Sequence, residues 1–247
     1  MTQTPIPARA KLPPSQTLTL KIDDIDITAK PGQTIKDVAQ EHDIHIPGLC
    51  YLDGLTIWGA CRLCLVEVEG QRKLLAACST EVAEGMIVHT QTPRLRNYRK
   101  LIIEMLFAER NHICSVCVSN GHCELQDMAV ELGVDHVHLP YMNPDVKVDS
   151  SHDRFRLDHN RCIMCTRCVR VCAEIEGAFT KGVAGRGIAA RIINDLNEPW
   201  GDSETCTSCG KCVHVCPTGA LVEKGTAASE MAKRRAFLPY LTIMREK

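Results

Sequence analysis

Two runs of cysteine constrain this chain more than any other feature. Cys162, Cys165, Cys168 and Cys172 stand with two, two and three residues between them, and the rhythm returns 44 residues later at Cys206, Cys209, Cys212 and Cys216. C-x2-C-x2-C wraps three thiolates around one face of an iron–sulfur cubane. The fourth cysteine of each run points away from its own cluster and serves the other. The spacing therefore predicts two [4Fe–4S] sites with crossed ligands. One set is Cys162, Cys165, Cys168 and Cys216; the other is Cys172, Cys206, Cys209 and Cys212. Pro217 follows the last cysteine as the bacterial-type run demands, while Ala173 stands where the first run would have its proline. Structural zinc is the competing reading. Zinc takes four ligands, commonly as separated C-x2-C pairs, and triplets with a trailing fourth cysteine fit that poorly.

The chain has 15 cysteines, and the remaining seven fall into two groups. Cys50, Cys61, Cys64 and Cys78 have the spacing C-x10-C-x2-C-x13-C. Four thiolates from a loop, a tight turn and a downstream segment suit a [2Fe–2S] rhombus, although the plant-type run has only four residues between its first two cysteines. A four-cysteine zinc site remains the alternative here. Gly48, Gly54 and Gly59 fit a loop whose backbone approaches inorganic sulfide closely, or are ordinary turn glycines. Cys114, Cys117 and Cys123 form a three-cysteine group, one ligand short of a cubane. His112 is the candidate fourth ligand, since imidazole is a competent iron ligand. His122 abuts Cys123, and adjacent side chains diverge. The plain alternative is that His112 is a polar helix-end residue.

Nothing else in the composition supplies a rival chemistry. The odd number of thiols speaks against a disulfide framework. The first 16 residues have no apolar core or cleavage pattern and read as a flexible leader rather than a secretory signal. A cytoplasmic location is expected, where thiols stay reduced. Net charge is -1 with a pI near 6.8, which gives no pull towards nucleic acid. No apolar run approaches the roughly 20 residues of a membrane span.

Periodicity places the groups on an α+β scaffold. "TLTLKIDDIDITAK" alternates around an Asp-Asp turn and predicts a β-hairpin. "TIKDVAQEHDI" predicts a helix capped by Thr34, with Ile35, Val38 and Ala39 on one face. "CLVEVEG" predicts a strand. That order is a β-grasp, ubiquitin-like domain over 17–92. Leu95, Tyr98, Leu101, Ile102, Met105 and Leu106 predict an amphipathic helix from Pro93. It opens a helical [4Fe–4S] segment over 93–140, with a second helix starting after Gly121. A bacterial-type 2[4Fe–4S] ferredoxin domain follows over 141–225, its halves forming a weak internal repeat separated by a spacer from Glu174 to Glu204. A partly helical tail completes the chain over 226–247. No GxGxxG follows a strand, so no dinucleotide site is signalled, and Gly185-Arg186-Gly187 reads as a turn. Arg161, Arg167 and Arg170 lie beside the first cubane run. They are expected either to raise its potential or to face solvent or a partner.

"HIPGLCYLDGLTIWGACRLCLVEVEG", "CSVCVSNGHCELQD", "SHDRFRLDHNRCIMCTRCVRVCAEIEGA" and "EPWGDSETCTSCGKCVHVCPTGAL" carry a resemblance. It runs from about Thr17 to Lys224. The order of sites resembles the N-terminal part of the complex I large iron–sulfur subunit and of [FeFe] hydrogenases. The four stretches are most similar to the small diaphorase (Hox-type U) subunits of bidirectional NAD-reducing [NiFe] hydrogenases. In complex I and [FeFe] hydrogenases the histidine ligand stands four positions before the first cysteine of the middle site. Here that position is Arg110, so His112 or another residue must replace it. With 31 residues after Cys216 and no further cysteine, the large domains of those two relatives are not expected. The resemblance implies one [2Fe–2S] and three [4Fe–4S] clusters, a total of roughly 14 irons. It also implies that FMN, NAD and the Ni–Fe centre belong to partners: a flavin/NAD-binding diaphorase subunit and the small [NiFe] hydrogenase subunit. The implied role is a relay without bond-making chemistry of its own. The alternatives are an iron–sulfur subunit of an NADH or formate dehydrogenase, a free multi-cluster ferredoxin and a zinc-stabilised interaction module.

Overall fold

The computed structural model describes residues 17–245, which divide into two units. The first holds the described residues up to Ile46 together with Leu65–Thr92; the second holds Pro47–Cys64 and everything from Pro93.

In the first unit, β1 (Leu18–Ile22) and β2 (Ile25–Ala29) form the expected hairpin, with Leu18 opposite Ala29 and Ile22 opposite Ile25. Asp23 and Asp24 both take positive φ, at 48° and 68°. Two left-handed residues twist the turn to match the strands. The Asp23 carboxylate also accepts the Thr90 N–H at 2.7 Å. Leu20, Ile22, Ile27 and Ala29 point inward, as period-two alternation requires. α1 (Ile35–Glu41) opens on a reciprocal cap: Asp37 N–H donates to Thr34 Oγ1 and Thr34 N–H donates to the Asp37 carboxylate. Its Ile35, Val38 and Ala39 are buried. β3 (Leu65–Val68), β4 (Leu75–Ala76) and β5 (Ile87–His89) complete a sheet of order β2-β1-β5-β3-β4. β1 and β5 run parallel at its centre, which is the β-grasp arrangement expected.

The second unit begins its helical part with α2 (Pro93–Glu109) and α3 (Glu124–Leu132). α2 starts at Pro93, where a missing N–H costs nothing. Its inward face matches the expected one in part: Leu95 is buried, and Ile102 and Leu106 pack against the core. Leu95, Arg99, Ile103 and Ala108 are buried, whereas Tyr98, Leu101 and Met105 are exposed. Arg99 holds its inward place by donating Nε–H to the Leu63 carbonyl at 3.0 Å. Ile103 packs with Leu49, Leu63, Leu125, Ala129 and Leu132. α3 stops at Gly133, which takes the left-handed conformation that closes many helices.

Beyond α3, β6 (Val148–Asp149) and β7 (Phe155–Asp158) pair with β10 (Leu221–Glu223) in the order β10-β7-β6. α4 (Arg167–Arg170) runs into a π-helical turn, Val171–Glu176; α5 (Lys211–Val215) is its counterpart in the second cysteine run. The spacer between the runs is not featureless. It forms an antiparallel hairpin of β8 (Lys181–Ala184) and β9 (Arg191–Asn194), with Gly185 and Gly187 at positive φ in the turn. A Cβ at Gly185 would meet the Ala189 carbonyl oxygen at 2.4 Å. The tail ends in α6 (Phe237–Arg245). Before that it straps the unit: Ser229 N–H donates to the Cys117 carbonyl and Met231 N–H to that of Val118. Among the described residues, no helix is long and apolar enough to cross a membrane. The expected leader, residues 1–16, lies outside the described residues.

Candidate metal centres

The two cysteine runs share a backbone device. Met164 and Thr166 flank Cys165 at φ of 50° and 58°, and Ser208 and Gly210 flank Cys209 at 55° and 73°. The weak sequence repeat is thus a close repeat of conformation. Left-handed non-glycine residues cost of order 1 kcal/mol or more each, so the surroundings must hold them. This zigzag folds each C-x2-C-x2-C back on itself before α4 or α5 begins.

The fourth cysteines cross. A small cavity is lined by Cys172 from the first run and by Cys206, Cys209 and Cys212 from the second, with Phe155, Lys181 and Trp200 among its other walls. The complementary set also assembles, since the sulfurs acting on Cys168 are those of Cys165, Cys162 and Cys216. Burial pushes the Cys162 and Cys212 thiols up to about 12. Such sulfurs hold their protons unless a cation replaces them. The π-helical turn carries Cys172, consistent with the placing of π turns at functional sites. Trp200 donates Nε1–H to Cys206 Sγ at 3.2 Å.

The middle group is built from a 3₁₀ turn, Cys114–Val116, and from Cys123, the residue preceding α3. A Cβ at Gly219 would lie 2.3 Å from Cys117 Sγ, so only glycine fits beside that thiol. His112 is half-buried and is not a solvent-facing helix end. Its Nε2 is buried with no hydrogen-bond partner among the described residues. The Leu106 backbone nearby favours the protonated ring. Burial first, and then the Arg161 charge, pull its pKa down to about 4. A neutral imidazole with a buried, unpartnered nitrogen is the form in which histidine binds metal. Arg110 is 1% exposed and donates Nη2–H to the Ile188 and Ala190 carbonyls. It serves packing between α2 and the β8–β9 hairpin.

Of the remaining group, Cys50 and Cys61 lie close enough to share a proton, and Cys64 acts on Cys50. The Cys61 thiol pulls Cys50 down to about 6, against the opposing effect of burial. The cost falls on Cys61, whose own pKa is raised by Cys50 and by burial. Gly59 and Arg62 bracket Cys61 at φ of 68° and 56°. Cys78 is buried in the first unit, after β4.

The arginines beside the first run do not face solvent. Arg167 donates Nη1–H to Glu124 and Nη2–H to the Tyr51 carbonyl, both at 2.8 Å. Burial disfavours the Glu124 charge, but Arg167 and Arg235 together keep its pKa below the ordinary value. Arg170 Nη2 donates to the carbonyls of Cys50 at 2.6 Å and Cys165 at 3.1 Å, and Nη1 to that of Thr56. One guanidinium thereby fixes the backbone of two cysteine groups at once. Arg161 pairs with Asp158.

The donor chemistry fits iron–sulfur clusters. All fifteen cysteines are free, and His112 adds one buried imidazole nitrogen with no hydrogen-bond partner among the described residues. Among the described residues, no three His, Cys, Asp or Glu side chains stand as a single-ion site. A cluster sets no such demand, because its thiolates bind different irons.

Comparison with known proteins agrees with the three iron–sulfur regions. Residues 15–93 match the 2Fe-2S iron-sulfur cluster binding domain, residues 99–138 the NADH-ubiquinone oxidoreductase-G iron-sulfur binding region, and residues 153–222 the ferredoxin-like domain of NADH-quinone oxidoreductase subunit 3. The HndD subunit of the NADP-reducing hydrogenase of Solidesulfovibrio fructosivorans is 38% identical over 83% of this chain, and the 75 kDa subunit of the NADH-ubiquinone oxidoreductase of Reclinomonas americana 33% over 82%. The chain spans only 36% and 29% of those two proteins. The HoxS gamma subunit of the NAD-reducing hydrogenase of Cupriavidus necator is 33% identical, with 88% of this chain matched to 92% of that protein. A chain in the crystal structure of an NAD+-reducing [NiFe]-hydrogenase in the H2-reduced state superposes with a TM-score of 0.79 at 34% identity, over 85% of this chain and 88% of that one. Matched along nearly its whole length in both sequence and fold, this chain belongs to the family of iron–sulfur gamma subunits of NAD-reducing hydrogenases.

Proposed function

We propose that this chain is the electron-relay subunit of the diaphorase module of a cytoplasmic, bidirectional NAD-linked [NiFe] hydrogenase. It would stand between a flavin/NAD-binding partner and the small hydrogenase subunit. The observation that carries this reading is the crossed cysteine set around one cavity, on a chain of which 88% matches 92% of a hydrogenase gamma subunit. Cys50, Cys61, Cys64 and Cys78 would hold a [2Fe–2S] cluster. His112, Cys114, Cys117 and Cys123 would hold a [4Fe–4S] cluster, as would each crossed set. The four groups correspond to one [2Fe–2S] and three [4Fe–4S] clusters.

Such clusters supply one-electron transfer. The protein's own work is to fix and insulate them. Arg170 ties the Cys50 loop to the Cys165 loop, Trp200 orients Cys206, and Gly219 leaves room for Cys117. Buried apolar side chains around the two cysteine runs, Val171, Val213 and Val215 among them, exclude water and keep charge effects strong. FMN, NAD and the Ni–Fe centre belong to partner subunits in this reading, and this chain makes and breaks no covalent bonds.

A second reading has its own support in the matches to NADH-quinone and NADH-ubiquinone oxidoreductases: an iron–sulfur subunit of an NADH dehydrogenase. Anaerobic affinity purification of the tagged chain from its own cells separates the two. Co-purified nickel with H2-dependent NAD+ reduction is expected. NADH oxidation without nickel or hydrogen activity would transfer the chain to the dehydrogenase reading.

A further inference from the structure

One buried charge in the second unit lacks an adequate protein partner. Lys181, the first residue of β8, is 4% exposed. Its Nζ donates to Asn194 Oδ1 at 2.6 Å and lies 3.2 Å from the centre of the Trp200 ring. No carboxylate among the described residues pairs with it directly. Asp149 accepts instead from Trp200 N–H at 2.8 Å and Asn194 Nδ2 at 3.4 Å, so it acts on the lysine through space without a direct hydrogen bond. An ammonium ion taken out of water is strongly disfavoured unless an opposite charge stands close by. One amide oxygen and an indole face offset only part of that. Lys233, which is half-buried, is different: it lies against the carbonyls of Val213, Thr218 and Leu221.

The missing counter-charge is sulfur. The thiols that act on Lys181 are Cys212, Cys168, Cys206 and Cys172, in that order. Three of them belong to one crossed set and Cys168 to the other. Lys181 lines the cavity of the first set, and the indole on which its ammonium rests is itself bonded to Cys206. The lysine therefore stands at the junction of the two sets, on a hairpin that neither cysteine run contains.

We propose that Lys181 is a potential-setting residue shared by the two ferredoxin-type centres. Its fixed positive charge favours added negative charge at both thiolate sets and offsets the repulsion between them. This rests on the reading that each crossed set binds a [4Fe–4S] cluster.

The test is potentiometric titration followed by electron paramagnetic resonance, on the full chain carrying Lys181→Met, Lys181→Gln or Lys181→Arg. Both neutral variants are expected to shift the reduction equilibrium of both ferredoxin-type clusters at least tenfold towards the oxidised form, about 59 mV for a one-electron couple. The arginine variant should stay within threefold of wild type, and the [2Fe–2S] and middle-cluster signals should not move. Unmoved potentials with iron retained, or a shift at one ferredoxin-type cluster alone, would overturn the proposal. Should the neutral variants lose iron, Asn194→Asp decides: it keeps the lysine and sets a carboxylate against it. The same downward shift at both clusters supports the proposal and unchanged potentials overturn it. Iron loss from every variant overturns it too, since the lysine then serves assembly. Absence of two [4Fe–4S] signals in the wild type would instead sink the cluster assignment, before any variant is measured.

Discussion

His112 and Arg170 act at single-residue scale in opposite ways. His112 offers a nitrogen with no protein partner, so its replacement should be felt only where iron binds. His112→Ala is expected to reduce iron by about four atoms per chain, leaving roughly ten of the 14, and His112→Cys to restore it. Iron and sulfide analysis checks this, and an unchanged iron content would make His112 a packing residue. Arg170 offers its donors to backbone instead. Arg170→Met leaves the carbonyls of Cys50, Cys165 and Thr56 short of a donor. At about 1–3 kcal/mol per stranded group, the chemical denaturation midpoint should fall well outside experimental error. The difference between the two is partly legible in the sequence. Cysteines advertise themselves because the cluster dictates their spacing, and His112 stands out because its group is one ligand short. Arg170 and Lys181 are not legible in these roles. Arg170 meets Cys50 across 120 residues, and a lone lysine between Thr180 and Gly182 follows no motif.

At the scale of elements, extent is easier to read than orientation. Thr34 with Asp37 announces α1, and Pro93 announces α2, because caps and starts are local chemistry. Thr34→Ala should cost about 1 kcal/mol, read as a drop of a few degrees in the thermal midpoint. Part of the inward face of α2 escapes the periodicity because Arg99 occupies it. A guanidinium satisfied by the Leu63 carbonyl looks, in sequence, like a solvent-facing charge. A pair of substitutions separates the faces. Ile103→Ala should cost about 2–5 kcal/mol as a buried truncation. Leu101→Gln, on the outer face, should stay within about 0.5 kcal/mol of wild type. Equal effects would mean that the outer face is covered in the native protein. The β8–β9 hairpin escapes altogether. Its strands, "KGVA" and "RIIN", are four residues each and lie around a glycine turn, too short for alternation to stand out.

For the molecule as a whole, the order of sites along the chain is readable and the role of the tail is not. Residues 226–235 look like a polar appendage, yet they bond to Cys117, Val118, Val213, Thr218 and, through Arg235, Glu124. A chain ending at Gly225 should therefore release iron from the middle group to a chelator faster than wild type, with the crossed sets retained. Equal release rates would reduce the strap to a surface feature. The strap also has a meaning in time. Asn120 and its partner Ser229 are 109 residues apart. At about 5–20 residues per second, a ribosome that has just made the middle cysteines needs on the order of 5–20 s to deliver the segment that covers them. Throughout that interval the nascent site is open on the side the strap will close, and a cluster-delivery factor has its opportunity there.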